Sequence, residues 1–197
     1  MKKILVAGFG DFLDKDFNSS KIFLNIIPNS KNLIKRIFNV GYFKNDFIKS
    51  IKNNDLDKII FFGMNTDIIK PRFELIAKNE MITLKNPIYR FIGTVYSHWL
   101  KLFNKNLKIS KQISEDKLII LPIYKNYSNE IKLKSKVSKF KNLDISKNAE
   151  NYVCNYSMYV VENYLRDNNL DIEFYFIHLP PKLSRVQEED LLEFINH

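Results

Sequence analysis

The chain has 197 residues, 45% of them hydrophobic and 14% aromatic, which suits one ordinary domain with a buried core and excludes disorder as a description of the whole. A single cysteine and three scattered histidines exclude a disulfide framework and a cysteine-based zinc finger, and no metal site is expected. The net charge of +9 arises from 31 Lys+Arg against 22 Asp+Glu, yet the lysines are dispersed through Asn- and Ile-rich sequence, where a nucleic-acid binder concentrates them on one face.

The densest basic stretch, residues 132–141, alternates with apolar residues and reads as a solvated face. No nucleic-acid partner is expected. No stretch of about 18 apolar residues suggests a membrane span. The N-terminal apolar run is interrupted by Asp11 and reads as a strand rather than a leader, so a cytoplasmic location is expected.

Residues 3–7 form the first expected strand, followed by Gly8-Phe9-Gly10. Asn18 is placed to cap a helix whose apolar residues include Ile22, Phe23 and Ile26, and Pro28 closes it. A second strand is expected over residues 33–40. Phe43, Phe47, Ile48 and Ile51 mark one face of a second helix. Residues 58–62, KIIFF, are short and apolar enough for a buried central strand, and 73–77 for another. Residues 85–143 carry little periodic signal beyond a strand-like 118–123. Cys154, Met158, Val161 and Leu165 then fall on one helical stripe. A late strand over 173–177 ends at His178. The last helix starts at Ser184, with Gln187 at capping-box spacing. Strands crossing over through helices imply an α/β fold with a mostly parallel twisted sheet, in a single domain spanning 1–197.

Four features could carry chemistry. Gly8-Phe9-Gly10 lacks the third glycine of a dinucleotide turn, because residue 13 is Leu13, so no cofactor is expected. Phe9 and Phe12 are then either core or the walls of an apolar pocket. Cys154 lies in the first turn of a helix if Asn151 caps it, where free amides and the macrodipole favour a thiolate. His178 follows a strand at the sheet edge where ligands gather, and is either structural or the base that a thiol needs. Glu74 interrupts an apolar strand; it either faces water or pairs with something that offsets its burial, such as an imidazole.

Together these residues resemble the pyroglutamyl peptidase I family of cysteine peptidases. Gly8-Phe9-Gly10-Asp11-Phe12 is similar to the family's GFxPF, and Asn18-Ser19-Ser20 to its N-P-S. Glu74, Ala77 and Asn79 stand in register with its E-x-x-A-x-N, after Gly63. Residues 148–159 resemble its nucleophile motif around C-N, and Phe176-Ile177-His178-Leu179-Pro180 its F-I-H-V-P. The resemblance implies a three-layer α/β/α sandwich, no cofactor, and a triad of Cys154 as nucleophile, His178 as base and then acid, and Glu74 as its orienter. It implies N-terminally pyroglutamylated peptides as substrates, with Phe9, Phe12, Val153 and Met158 as the apolar walls around the lactam, and a homo-oligomer by analogy, with the aromatic-rich 89–103 as an interface. The chain departs from the family at Leu84, where an arginine helps the oxyanion hole, at Glu150, a glycine in the family, and in its total of five glycines. A same-fold homologue that binds without hydrolysing, or a basic nucleic-acid-associated protein, are the alternatives.

Overall fold

The structure, a computed structural model, describes residues 3–11, 17–52, 54–84, 118–136, 142–150 and 152–196. Among these residues are the strands β1 (Ile4–Phe9), β2 (Leu33–Phe38), β3 (Lys58–Met64), β4 (Arg72–Glu74), β9 (Asp144–Ser146) and β10 (Glu173–Leu179). They form a six-stranded main sheet in the order β2-β1-β3-β10-β4-β9. The pairs β1–β2, β1–β3 and β3–β10 are parallel. Only β4 runs antiparallel to β10, and β9 follows β4 in parallel. Every residue of β3 is buried, as a strand covered on both faces requires.

Alternation along the strands divides the core in two. Val6, Ile60, Phe62, Tyr175 and Ile177 face α1 (Ser19–Ile26) and the C-terminal helix α4 (Arg185–Asn196). Leu5, Ala7, Ile59, Phe61, Phe174 and Phe176 face α2 (Lys44–Lys52) and α3 (Val153–Asp167). The result is the expected three-layer α/β/α sandwich. Two antiparallel pairs flank it: β5 (Ile76–Lys78) with β8 (Glu130–Lys132), and β6 (Met81–Leu84) with β7 (Leu118–Leu121).

Asn18 caps α1 by accepting from the Ser20 N–H. The buried face of that helix is nevertheless Ser19, Ser20, Phe23 and Leu24, while Ile22 and Ile26 are exposed. Ser20 is what lets the helix approach the sheet. Its hydroxyl receives the Phe9 N–H at 3.0 Å, and a Cβ on Gly8 would stand 2.9 Å from the Ser20 carbonyl oxygen. Gly8 thus serves helix-on-strand packing. The expected single strand over 73–77 is two strands of different sheets, with Leu75 as the pivot: its N–H donates to Ser146 O and its carbonyl accepts from Leu133 N–H. At α4, Ser184 and Gln187 form the reciprocal capping box. Lys132, Lys134 and Lys136 are exposed around buried Leu133, which agrees with a solvated basic face to that point. The remainder of 137–141, and the aromatic segment 89–103, lie outside the described residues.

Candidate active site

Register alone brings four side chains to one face. On β10, Phe174 and Phe176 point toward α3, so His178, two residues further, does the same. Antiparallel pairing sets Arg72 opposite His178 and Glu74 opposite Phe176, while β9 places Ser146 opposite Glu74. Gly63 of β3 is the register partner of His178 on its other side. Over this patch sits the first turn of α3, which carries Cys154.

Glu74 and His178 are both buried, and His178 Nδ1 lies 2.8 Å from Glu74 Oε1. The half-buried Cys154 lies beside the imidazole, close enough for its sulfur to favour the charged ring, and with Nδ1 engaged by Glu74 the nitrogen left to face it is Nε2. Burial is the largest single influence on His178 and disfavours its charge, but Cys154 and Glu74 together outweigh it and push the pKa up to about 9. Burial is also the largest influence on Glu74 and acts to raise its pKa. The hydrogen bond and charge of His178, with Ser146 and the Arg72 guanidinium, overcome it and hold the carboxyl below its ordinary range.

Gly63 makes room for the sulfur. A Cβ there would lie 2.8 Å from Cys154 Sγ and 2.9 Å from Phe176 Cζ. Gly63→Ala is therefore expected to displace the thiol, slowing its alkylation and any turnover by about 10²-fold, the scale set by misplacing a reacting atom. Overpacking is expected to cost about 1–3 kcal/mol as well. Stopped-flow alkylation and a denaturant melt measure the two effects separately.

The helix cap differs from expectation. The N-cap is Tyr152, in extended conformation and with no side-chain hydrogen bond to the first turn; Asn151 lies outside the described residues. Cys154 still occupies the first turn. The neighbouring Asn155 is buried and acts as a clamp, donating to Lys78 O and Glu80 O and accepting from the Lys78 N–H. Asn79 clamps Tyr124 through both its amide groups. The asparagines of the two motifs therefore lock the nucleophile helix and the flanking strands together. Before that helix, Glu150 has φ 61°, a conformation that costs an L-residue about 1–2 kcal/mol. Allowing for the extra freedom glycine loses on folding, Glu150→Gly is expected to raise stability by about 0.5–1 kcal/mol, read as an increase in urea midpoint; a lower midpoint would contradict the strain.

Among the expected pocket residues, Phe9 packs with Phe38, Phe47 and Phe176 in the core. Met158 is fully buried one turn below Cys154, and Val153 is half-buried beside it. Phe12, His98 and His197 lie outside the described residues. Two neighbours had no sequence signal. Ser146 became visible only through strand pairing. Tyr42, in the loop after β2, stacks on Tyr156 and donates to Ile82 O; burial, with Tyr152, Tyr156 and Cys154 nearby, pushes its phenol up to about 12. The Nε of Arg72 is placed on Glu74. Among the described residues, no group of three or more His, Cys, Asp and Glu side chains could hold a metal ion, and no helix is long and apolar enough to cross a membrane.

The family model for pyroglutamyl peptidase matches residues 111–190, a stretch that contains Cys154 and His178 but not Glu74. No curated protein matches the chain. Among solved structures, pyrrolidone carboxyl peptidase from Thermococcus litoralis is similar at a TM-score of 0.70 and 15% identity, over 99% of this chain and 93% of that one. Pyroglutamyl peptidase I from Bacillus amyloliquefaciens gives 0.69 and 16%, over 98% and 92%. A mutant pyrrolidone carboxyl peptidase from Pyrococcus furiosus gives 0.67 and 17%, over 98% and 94%. Identities this low speak for the fold alone, which this chain shares with these peptidases, and the similarity to the pyroglutamyl peptidase family model extends over residues 111–190, less than half of the chain.

Proposed function

We propose that the protein is a cysteine exopeptidase that hydrolyses the amide bond following an N-terminal pyroglutamate. The observation that carries this reading is the chain of contacts from Cys154 to His178 to Glu74, drawn from three distant segments. In this mechanism the Cys154 sulfur attacks the carbonyl carbon after the lactam, and His178 holds the thiol proton. The tetrahedral oxyanion is met by first-turn amides of α3, which no side chain caps. His178 then delivers its proton to the departing amine, leaving a thioester. Water, deprotonated by the same imidazole, cleaves that thioester and frees pyroglutamate. Throughout, Glu74 holds Nδ1–H and fixes the tautomer.

The lactam carries no charge, so its recognition falls to apolar walls, for which Phe9, Phe12, Val153 and Met158 are proposed. A cytoplasmic homo-oligomer is the setting the family resemblance suggests. Leu84, standing where an arginine would help the oxyanion, favours a slow enzyme, since one lost donor costs about 10²–10³ in turnover; its limit is a homologue that binds without hydrolysis. A fluorogenic pyroglutamyl amide, offered beside the prolyl analogue that lacks the lactam carbonyl, tests the reading. Release of the fluorophore from the first alone, abolished by iodoacetamide, is expected. No release by folded, reduced protein at any pH from 6 to 9, about the range of imidazole control, would leave the binding reading.

A further inference from the structure

The acid of the proposed triad has a second cationic partner. Arg72 and Glu74 stand two apart on β4, on the same face, and Arg72 Nε donates to Glu74 Oε1 at 2.8 Å. That is the oxygen His178 Nδ1 also meets at 2.8 Å. Glu74 Oε2, by contrast, is buried and makes no hydrogen bond to any described residue. Both of these contacts to a fully buried carboxylate thus converge on one atom, with Ser146 a further influence from β9, and of the two partners on Oε1, Arg72 plays no part in proton transfer.

We propose that Arg72 is a positioning residue: by sharing Oε1 it keeps the Glu74 carboxylate ionised and turned toward His178. The inference rests on the triad reading, since it gives Arg72 a task only through Glu74. The reason is desolvation. A carboxylate without solvent exposure is costly to keep charged, and whenever His178 gives up its proton, as it does above about pH 9, the neutral imidazole at Nδ1 contributes only a dipole. The Arg72 guanidinium supplies a permanent charge that is independent of the state of His178. Its side chain is 23% exposed, so it stays partly hydrated while its Nε reaches inward. The groups facing the carboxylate are Arg72 from its own strand, His178 from β10 and Ser146 from β9, with Cys154 of α3 beyond the imidazole. Of these, Arg72 alone keeps its charge across the accessible pH range. The positive charge also opposes an imidazolium on the other side of the shared oxygen. Its removal therefore acts in two directions, and the sign of the result shows which dominates.

The test follows the ring resonances of His178 by NMR against pH, in a chain with only three histidines. The acid-side inflection reports protonation of Glu74. In Arg72→Gln it is expected to move up by about one pH unit, the lower end of the effect of an adjacent arginine on a carboxylate. Arg72→Lys should bring it at least halfway back. If the glutamine variant does not fold, Arg72→Met, which keeps the aliphatic stem, takes its place. An unmoved inflection in a folded variant, a downward shift, or equal shifts in the lysine and glutamine variants would overturn the role. No substrate enters the measurement, so a protein that hydrolyses nothing would defeat the peptidase reading and leave this result standing.

Discussion

Cys154→Ser is expected to lower turnover of a pyroglutamyl amide by about 10⁴-fold or more while leaving the protein folded. The two side chains differ by one atom, and Cys154 is only half-buried at a helix start, so little packing is lost. What is lost is the proposed nucleophile. A serine hydroxyl at its ordinary pKa is a weak nucleophile, and members of a triad act as a unit, so removing one forfeits most of the set's contribution. The chain has no other thiol, which makes the control unambiguous: iodoacetamide should label the wild type once and the variant not at all. Thermal melts of the two should superimpose within a few degrees. Turnover that survives the substitution would remove Cys154 from the mechanism, whatever the fold.

Glu74→Gln is expected to lower kcat by about 10²–10⁴-fold, with a smaller effect on KM. An amide nearly matches the carboxyl in shape, so the pocket stays filled. It can, however, present N–H₂ to His178 Nδ1 and select the wrong tautomer, and it no longer stabilises the imidazolium. Arg72 loses its anion at the same time. The pH dependence of stability follows from the two shifts. Glu74 titrates below its ordinary 4.5, so its contribution is present above that value and fades as pH falls through the folded one. His178 titrates at about 9 rather than 6.5, so its contribution is full below 6.5 and is lost as pH rises toward 9. The stability gap between wild type and variant should therefore be widest between 4.5 and 6.5 and narrow on either side. Melting temperatures of both proteins across pH 3–10, about the span covered by the two titrations, measure this. A gap that widened above pH 9 would place the charge elsewhere.

Much of the architecture was legible because burial is written into short apolar runs. β1, β3 and β10 each announce themselves that way, and the stripe Met158, Val161 and Leu165 marks the inner face of α3. The same reading left the buried face of α1 open. Counting apolar residues puts Ile22 and Ile26 inward, whereas the helix approaches the sheet through Ser19 and Ser20, whose small size periodicity does not weigh. It also fused β4 with β5, because a strand that changes sheets at Leu75 keeps its alternation of side chains. Within the site, Glu74 was legible as an anomaly, a charge among apolar neighbours. The Arg72 contact was not, because an arginine two residues away fits a solvated strand end equally well. The clamps by Asn155 and Asn79 span 77 and 45 residues, and no local pattern encodes a partner that distant.

The brevity of β4 has a consequence for how such a chain can change. Its three residues put Arg72 and Glu74 on one side and Phe73 on the other. A slip of one position would exchange them, burying two charges against α1 and α4 and sending an aromatic ring toward the thiol. The connection that precedes it, residues 65–71, can absorb inserted residues on the surface, but the triplet itself cannot gain or lose one. Genetic drift in chain length is thus free up to the doorstep of the site and closed at its threshold.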